Sequence, residues 1–353
     1  MDTTPGKKRY GFGLLGCGRI AKGHMAAYGN WFDLVACCDV YEPAATEYCQ
    51  TYGFARYYTD YRKFFEDPAI DVVTICTSST HERLDIVLKG AECGKHMLAE
   101  KPLAIEWPEA VEMFNLAESA GIRLAVSQQY RNYPHIVAAR EILASGVLGK
   151  PFLGSLQMAH LAYFPMRGAK RDDYFLKHPK VVILNMTVHH FDTIRYWFDQ
   201  EPQQIYTRTG IPEYRTVLAE RGDTWSVSTI TFPGGCAFQV LSSADCKGGR
   251  NVWEGRAHIE CENGSLYVND HGDDIIAAYV ADQDRWIVPE LPPRDKFGTL
   301  AWQATMSNLL RWIEDGIEHP TSARDNLRTM EMVLSAYDSA DTGVSVPVAR
   351  ARR

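Results

Sequence analysis

In Tyr10-Gly11-Phe12-Gly13-Leu14-Leu15-Gly16-Cys17-Gly18-Arg19-Ile20-Ala21 an apolar run breaks into paired glycines and then into residues that suit a helix. Tyr10–Leu15 is short and apolar, as a buried strand should be. Gly16-Cys17-Gly18-Arg19-Ile20-Ala21 fits the spacing G-x-G-x-x-[GA]. In that spacing the first glycine permits a tight turn, and the second lets backbone approach a pyrophosphate. The small third residue lets the helix sit close to the strand. A helix over Ile20–Tyr28 then offers its free N–H groups to phosphate. Alone the pattern is weak; between a strand and a helix it marks a dinucleotide site. A second strand over Leu34–Cys38 delivers Asp39, placed about twenty residues on to accept both ribose hydroxyls. The following Val40-Tyr41-Glu42-Pro43 supplies no Arg or Lys, so a 2′-phosphate would meet uncompensated like charge. The expected cofactor is therefore NAD and not NADP.

Outward from this site, strands and helices alternate. Helices are expected over Ala44–Tyr52, near Tyr61–Phe65, and over Glu82–Glu92 and Pro108–Ala120, with Gly53, Gly94 and Gly121 as stops. Strands are expected near Arg56–Tyr57 and over Val72–Cys76, His96–Ala99 and Arg123–Val126. Short buried strands alternating with helices imply a doubly wound parallel sheet. After a helix at Ile136–Ala144 the pattern changes. Phe152–His160, Thr224–Phe232, Cys236–Ser243, Ala257–Glu262 and Ser265–Asn269 read as strands. Pro233-Gly234-Gly235 and Asn263-Gly264 are turn signals between antiparallel neighbours. Amphipathic helices over Leu300–Asp315 and Arg324–Ala340 close the chain. The expected fold is thus an α/β Rossmann domain over 1–127, then an α+β domain over 128–353 built on a mostly antiparallel open sheet.

The chain has 353 residues, 46% hydrophobic and 23% charged, which suits a soluble protein of two domains. A net charge of −7 argues against a general nucleic-acid binder. No run approaches the roughly eighteen apolar residues of a membrane span. The polar start does not read as a secretion signal. Nine cysteines without C-x-x-C spacing suggest reduced thiols in the cytoplasm, used as small core residues, with no metal cluster.

Glu100-Lys101-Pro102 follows a buried strand at the carboxyl edge of the sheet, so Lys101 points into the crevice where such folds bind ligands. Together with the glycine turn, Thr77–His81, Gly94-Lys95-His96, Tyr130-Arg131 and Gly146–Pro151, it resembles the Gfo/Idh/MocA family, the glucose–fructose oxidoreductase and inositol dehydrogenase relatives. The family typically places an Asp, three residues, a His, and a further acidic residue on one helix. Here His189 fills the His position and Asp192 the later acidic one, while Asn185 stands where Asp is usual. On a helix the three share a face, so Asn185 and His189 would both reach one substrate.

The resemblance implies that His189 takes the proton from a substrate hydroxyl as hydride leaves its carbon, a task for a near-neutral pKa. Lys101 would stabilise the developing alkoxide, and Asn185 would orient the substrate or the imidazole. It also places Gly16, Gly18, Arg19, Ile20, Asp39, Thr77, Ser78, His81, Glu100, Lys101 and Gln129 at the cofactor. The stretch 166–180 is basic, and Arg167, Lys170 and Arg171 suit an anionic substrate group, although Asp172 and Asp173 among them favour a solvated loop. Tyr163 offers a face on which a sugar stacks. The implied activity is NAD-dependent hydride transfer at a hydroxyl-bearing carbon of a sugar, sugar derivative or cyclitol, in a homodimer or homotetramer. Two other readings stand beside it. One is NAD-dependent glycoside cleavage through transient C3 oxidation, and the other a non-catalytic ligand sensor.

Overall fold

The computed structural model describes residues 9–77, 80, 82–160, 180–213 and 222–350. Their contacts divide into two compact units, 9–132 with Asp295–Leu327, and Tyr133–Arg294 with 328–350.

In the first unit six strands pair in parallel: β1 (Gly11–Leu15), β2 (Asp33–Cys38), β3 (Arg56–Tyr58), β4 (Val72–Ile75), β5 (His96–Glu100) and β6 (Leu124–Ser127). Their order is β3-β2-β1-β4-β5-β6. The winding direction reverses between β1 and β4, which opens a crevice at the carboxyl ends of those strands. The helices are α1 (Arg19–Tyr28), α2 (Glu42–Tyr52), α3 (Tyr61–Phe65), α4 (Arg83–Glu92) and α5 (Trp107–Ala120). Both faces of the sheet are apolar because alternate strand residues point to opposite sides. Leu14 and Val72 pack with Phe12, Tyr28 and Met25, whereas Leu15 and Val73 pack with Phe64, Ile86 and Val87. Gly53 and Gly121 take left-handed φ values of 78° and 68° at the ends of α2 and α5, the conformation for which glycine is used as a stop.

The helix Phe297–Asp315 also belongs to this unit. Leu309, Leu310 and Trp312 join the cluster around Phe12 and Tyr28, and the Gln303 amide donates to Ala27 O at 2.8 Å. Its amphipathic pattern announces an apolar face but not which sheet that face covers, so the sequence reading left it with residues 128–353. The segment after it stays with the first unit too, where Thr321 exchanges hydrogen bonds with the backbone of Val126.

The second unit opens with α6 (Pro134–Ala144) and carries nine strands among the described residues. They are β7 (Pro151–Ala159), β8 (Gln204–Gly210), β9 (Trp225–Thr231), β10 (Ala237–Ser243), β11 (Arg256–Cys261), β12 (Gly264–His271), β13 (Asp274–Val280), β14 (Arg285–Ile287) and β15 (Val346–Pro347). The order is β14-β13-β12-β11-β7-β10-β9-β8-β15, antiparallel except where β10 runs parallel to β7. One face buries Phe238, Val240, Ile259 and Leu266. On the helical side α6 and the helix Val188–Phe198 are joined by Trp197 Nε1, which donates to Ile136 O at 3.1 Å. The other face keeps large apolar groups open: Leu153 is 52% exposed, Trp286 46% and Tyr206 39%. No described helix is long and apolar enough to cross a membrane.

Candidate active site

The glycine turn has the geometry that its residues require. Gly16 sits at φ 94°, and a Cβ there would lie 2.7 Å from the Cys76 backbone, so only glycine lets β1 turn this close to β4. At Gly18 a Cβ would meet nothing within 4 Å, so the space above this backbone is open to a phosphate group. Arg19 and Ile20 lie exposed in the first turn of α1, and Ala21 is fully buried beneath them. Tyr48 OH donates to Gly18 O at 2.5 Å and holds the loop from below. Asp39 accepts from Cys17 N and from Tyr41 N, each at 2.8 Å. The carboxylate is thereby fixed beside the turn, and its remaining lone pairs suit ribose hydroxyls. These residues fit a dinucleotide.

At the end of β5, Glu100 is buried and bonds His24 Nε2 at 2.7 Å; Tyr28 OH bridges His24 Nδ1 and Thr74 Oγ1, both at 2.8 Å. Burial pushes the Glu100 carboxyl up, but the hydrogen bond and charge of His24, with Lys101, outweigh it and hold it below the ordinary range. Lys101 is pulled down to about 8, mainly by burial and further by Arg83, against the opposing pull of Glu100. Such an ammonium stays charged at neutral pH and close to its point of proton loss, a condition suited to work on a substrate oxygen. Thr77 is half-buried at the end of β4, and Gln129 is buried just past β6 with its Oε1 unpaired among the described residues. Sequence reasoning missed His24 and Arg83. A His inside an amphipathic helix and an Arg in a helix's first turn carry no local signal of burial.

In the second unit a π turn, Ile183–Thr187, leads directly into the helix Val188–Phe198. Asn185 is half-buried on the π turn, and His189 is 6% exposed one turn later. Asp223 anchors the start, accepting from Val181 N at 2.6 Å and Val182 N at 2.8 Å, while Ile183 N donates to Tyr337 OH at 3.1 Å. Burial pushes the Asp223 carboxyl up to about 6.

Asp192 is held in the framework of this unit. It is 1% exposed and accepts from Thr329 Oγ1 at 2.7 Å, with Arg195 at 3.8 Å, and Arg195 in turn grips Glu201. It ties this helix to Ala323–Thr342 as part of the framework. Asn185 lies on the π turn, while His189 and Asp192 both lie on the regular helix that follows it. Lys180, at the end of the basic stretch, pairs with Asp341 at 2.7 Å. Ser78, His81, Tyr163, Arg167, Lys170 and Arg171 lie outside the described residues. The structure therefore groups Gly16, Gly18, Asp39, Thr77, Glu100, Lys101 and Gln129 in the first unit, and Asn185 with His189 in the second.

Comparison with known proteins gives two adjacent matches. The profile described as "Oxidoreductase family, NAD-binding Rossmann fold" covers residues 10–128, and the GFO/IDH/MocA C-terminal domain covers 136–267. The chain is 26% identical to D-apiose dehydrogenase of Paraburkholderia graminis, over 98% of this chain and 91% of that protein. It is 26% identical to inositol 2-dehydrogenase of Rhizobium meliloti, over 93% and 96%. Among solved structures, an oxidoreductase from Agrobacterium radiobacter in complex with NAD+, L-tartaric acid and magnesium superposes with a TM-score of 0.85. It shares 22% identity, over 97% of this chain and 99% of that one, and speaks to the fold alone.

Proposed function

We propose, since the chain belongs to the Gfo/Idh/MocA oxidoreductase family, that it is an NAD-dependent dehydrogenase acting on a hydroxyl-bearing carbon of a sugar, sugar derivative or cyclitol. The observation that carries this reading is the place of Lys101 at the carboxyl edge of the dinucleotide sheet, directly after β5 and the buried Glu100. Bound NAD supplies the hydride acceptor. The protein's own groups then have separate tasks. The glycine turn and Asp39 hold the dinucleotide. Lys101 donates a hydrogen bond to the substrate oxygen and stabilises the alkoxide as its proton leaves. His189 receives that proton, and Asn185 orients the substrate or the imidazole. Relatives named as dehydrogenases of apiose and inositol support net oxidation of the substrate over glycoside cleavage or ligand sensing.

A panel of sugars, cyclitols and glycosides incubated with NAD tests this, with NADH and product both quantified. One NADH per product is expected; product without NADH accumulation would indicate redox-neutral cleavage instead. Asp39 supports NAD over NADP by at least tenfold in affinity, about 1.4 kcal/mol, and calorimetric titration of both cofactors checks it. Equal affinities contradict that preference. Nine free cysteines support a cytoplasmic location. The open face of the second sheet supports assembly as a homodimer or homotetramer. Its side chains Leu153, Tyr206 and Trp286 are exposed, and Leu153 borders a hollow of about 420 Å³ with Ser155, Ala237 and Gln239.

A further inference from the structure

Arg83 opens α4, yet it is 1% exposed. Its guanidinium donates to three backbone oxygens: Nη2 to Thr77 O at 2.9 Å, and Nη1 to both Glu100 O and Pro102 O. Thr77 follows β4, while Glu100 and Pro102 stand immediately before and after Lys101. The three carbonyls lie at the carboxyl ends of adjacent parallel strands, where each needs a donor from outside the ladder. Water serves that need at an ordinary surface. A buried cation is an expensive substitute, but an apolar side chain of similar volume would leave the three carbonyls without a donor. What only arginine offers is a rigid planar fork of several donors, able to bridge two chain segments at once. Its charge is opposed through space by the carboxylate of Glu100, which is 5% exposed and bonds His24.

We propose that Arg83 is a positioning residue for the reaction: it ties the end of β4 to both sides of Lys101 and so fixes the lysine's place at the cofactor edge. This rests on the reading of Lys101 as the group that works on the substrate oxygen. The like charge of Arg83 also acts on Lys101, in the same direction as burial and against Glu100. Arg83 from α4 and Glu100 from β5 are the charged groups facing Lys101 among the described residues, and His24 from α1 stands behind Glu100.

The test uses the full chain with NAD bound and needs no substrate, so it stands or falls separately from the proposed activity. Trace acetic anhydride modifies only uncharged amines, and mass spectrometry against pH gives the midpoint for Lys101, with exposed Lys63 as internal reference. In Arg83→Met, loss of the like charge should raise the midpoint and cut labelling at about pH 7.5 by roughly threefold to tenfold. In Arg83→Lys the charge remains but the bridge is lost. The midpoint should then stay near that of the wild type while amide exchange across residues 97–104 accelerates and β1 stays protected. An unmoved midpoint in Arg83→Met, together with unchanged exchange at 97–104 in both variants, would overturn the inference. Uniform loss of protection from β1 to β6 in both variants would assign Arg83 to general stability and overturn it equally.

Discussion

Asn185 carries no charge, and this limits how far it can stabilise an imidazolium at His189. Restoring Asp at this position adds a carboxylate one turn before the imidazole. An opposite charge favours the protonated form, so the His189 pKa rises and its base form appears only at higher pH. For oxidation, the acidic limb of kcat/KM against pH should therefore move upward in Asn185→Asp, by about one unit for a partly shielded pair. If Asn185 instead donates its amide to a substrate oxygen, Asp raises KM and leaves the limb in place. An unchanged profile with unchanged KM would put Asn185 outside the site. At this scale the sequence was most legible where a residue type answers a local backbone demand, as at Gly16 with its φ of 94°. It was least legible where a charge is buried by distant partners. Arg83 reaches Thr77, Glu100 and Pro102, and Asp192 reaches Thr329; neither contact leaves a trace in the neighbouring residues.

The helix that carries His189 depends on Asp223 for its start. A carboxylate there suits the free N–H groups of a helix N-terminus, yet its pKa is raised to about 6 because burial outweighs those hydrogen bonds. The folded state therefore binds this proton more tightly than the unfolded chain, whose Asp titrates at about 3.9. Its contribution to stability is fully present below that value and is lost as pH rises through about 6. Asp223→Asn keeps an acceptor for Val181 N and Val182 N and cannot ionise. Its stability relative to wild type should therefore improve between about pH 4.5 and 7.5, read from urea midpoints; a constant difference would contradict the burial argument. Most of the strands and helices were legible from periodicity and turn residues. β8 and β13 to β15 were not expected. Gln204–Gly210 mixes polar groups into its alternation, Asp274–Val280 is nearly continuous in apolar residues, and the other two are very short. Such segments gain their identity from the neighbours they pair with. The π turn at Ile183–Thr187 had no sequence signal at all.

At the scale of the whole molecule, the residues proposed to hold the dinucleotide lie with Lys101 in the first unit, and Asn185 and His189 lie in the second. The two-domain plan was legible because the alternation of strand and helix stops after Arg123–Val126, a few residues before the division at Asn132. The return of Phe297–Asp315 to the first unit was not, since an apolar helix face does not name its partner. The proposed assembly follows from the second sheet, whose open face leaves Leu153, Tyr206 and Trp286 exposed. Light scattering at micromolar concentration should give a dimer or tetramer, and a monomer would contradict it. The proposed reaction needs both Lys101 and His189, with the cofactor bound independently of either. Turnover of Lys101→Ala and His189→Ala on the sugar or cyclitol that the wild type oxidises, with NAD affinity titrated alongside, tests it most directly. The expected loss is roughly 10²-fold or more in each variant, with NAD affinity little changed; near-normal turnover in either one would contradict the proposed roles.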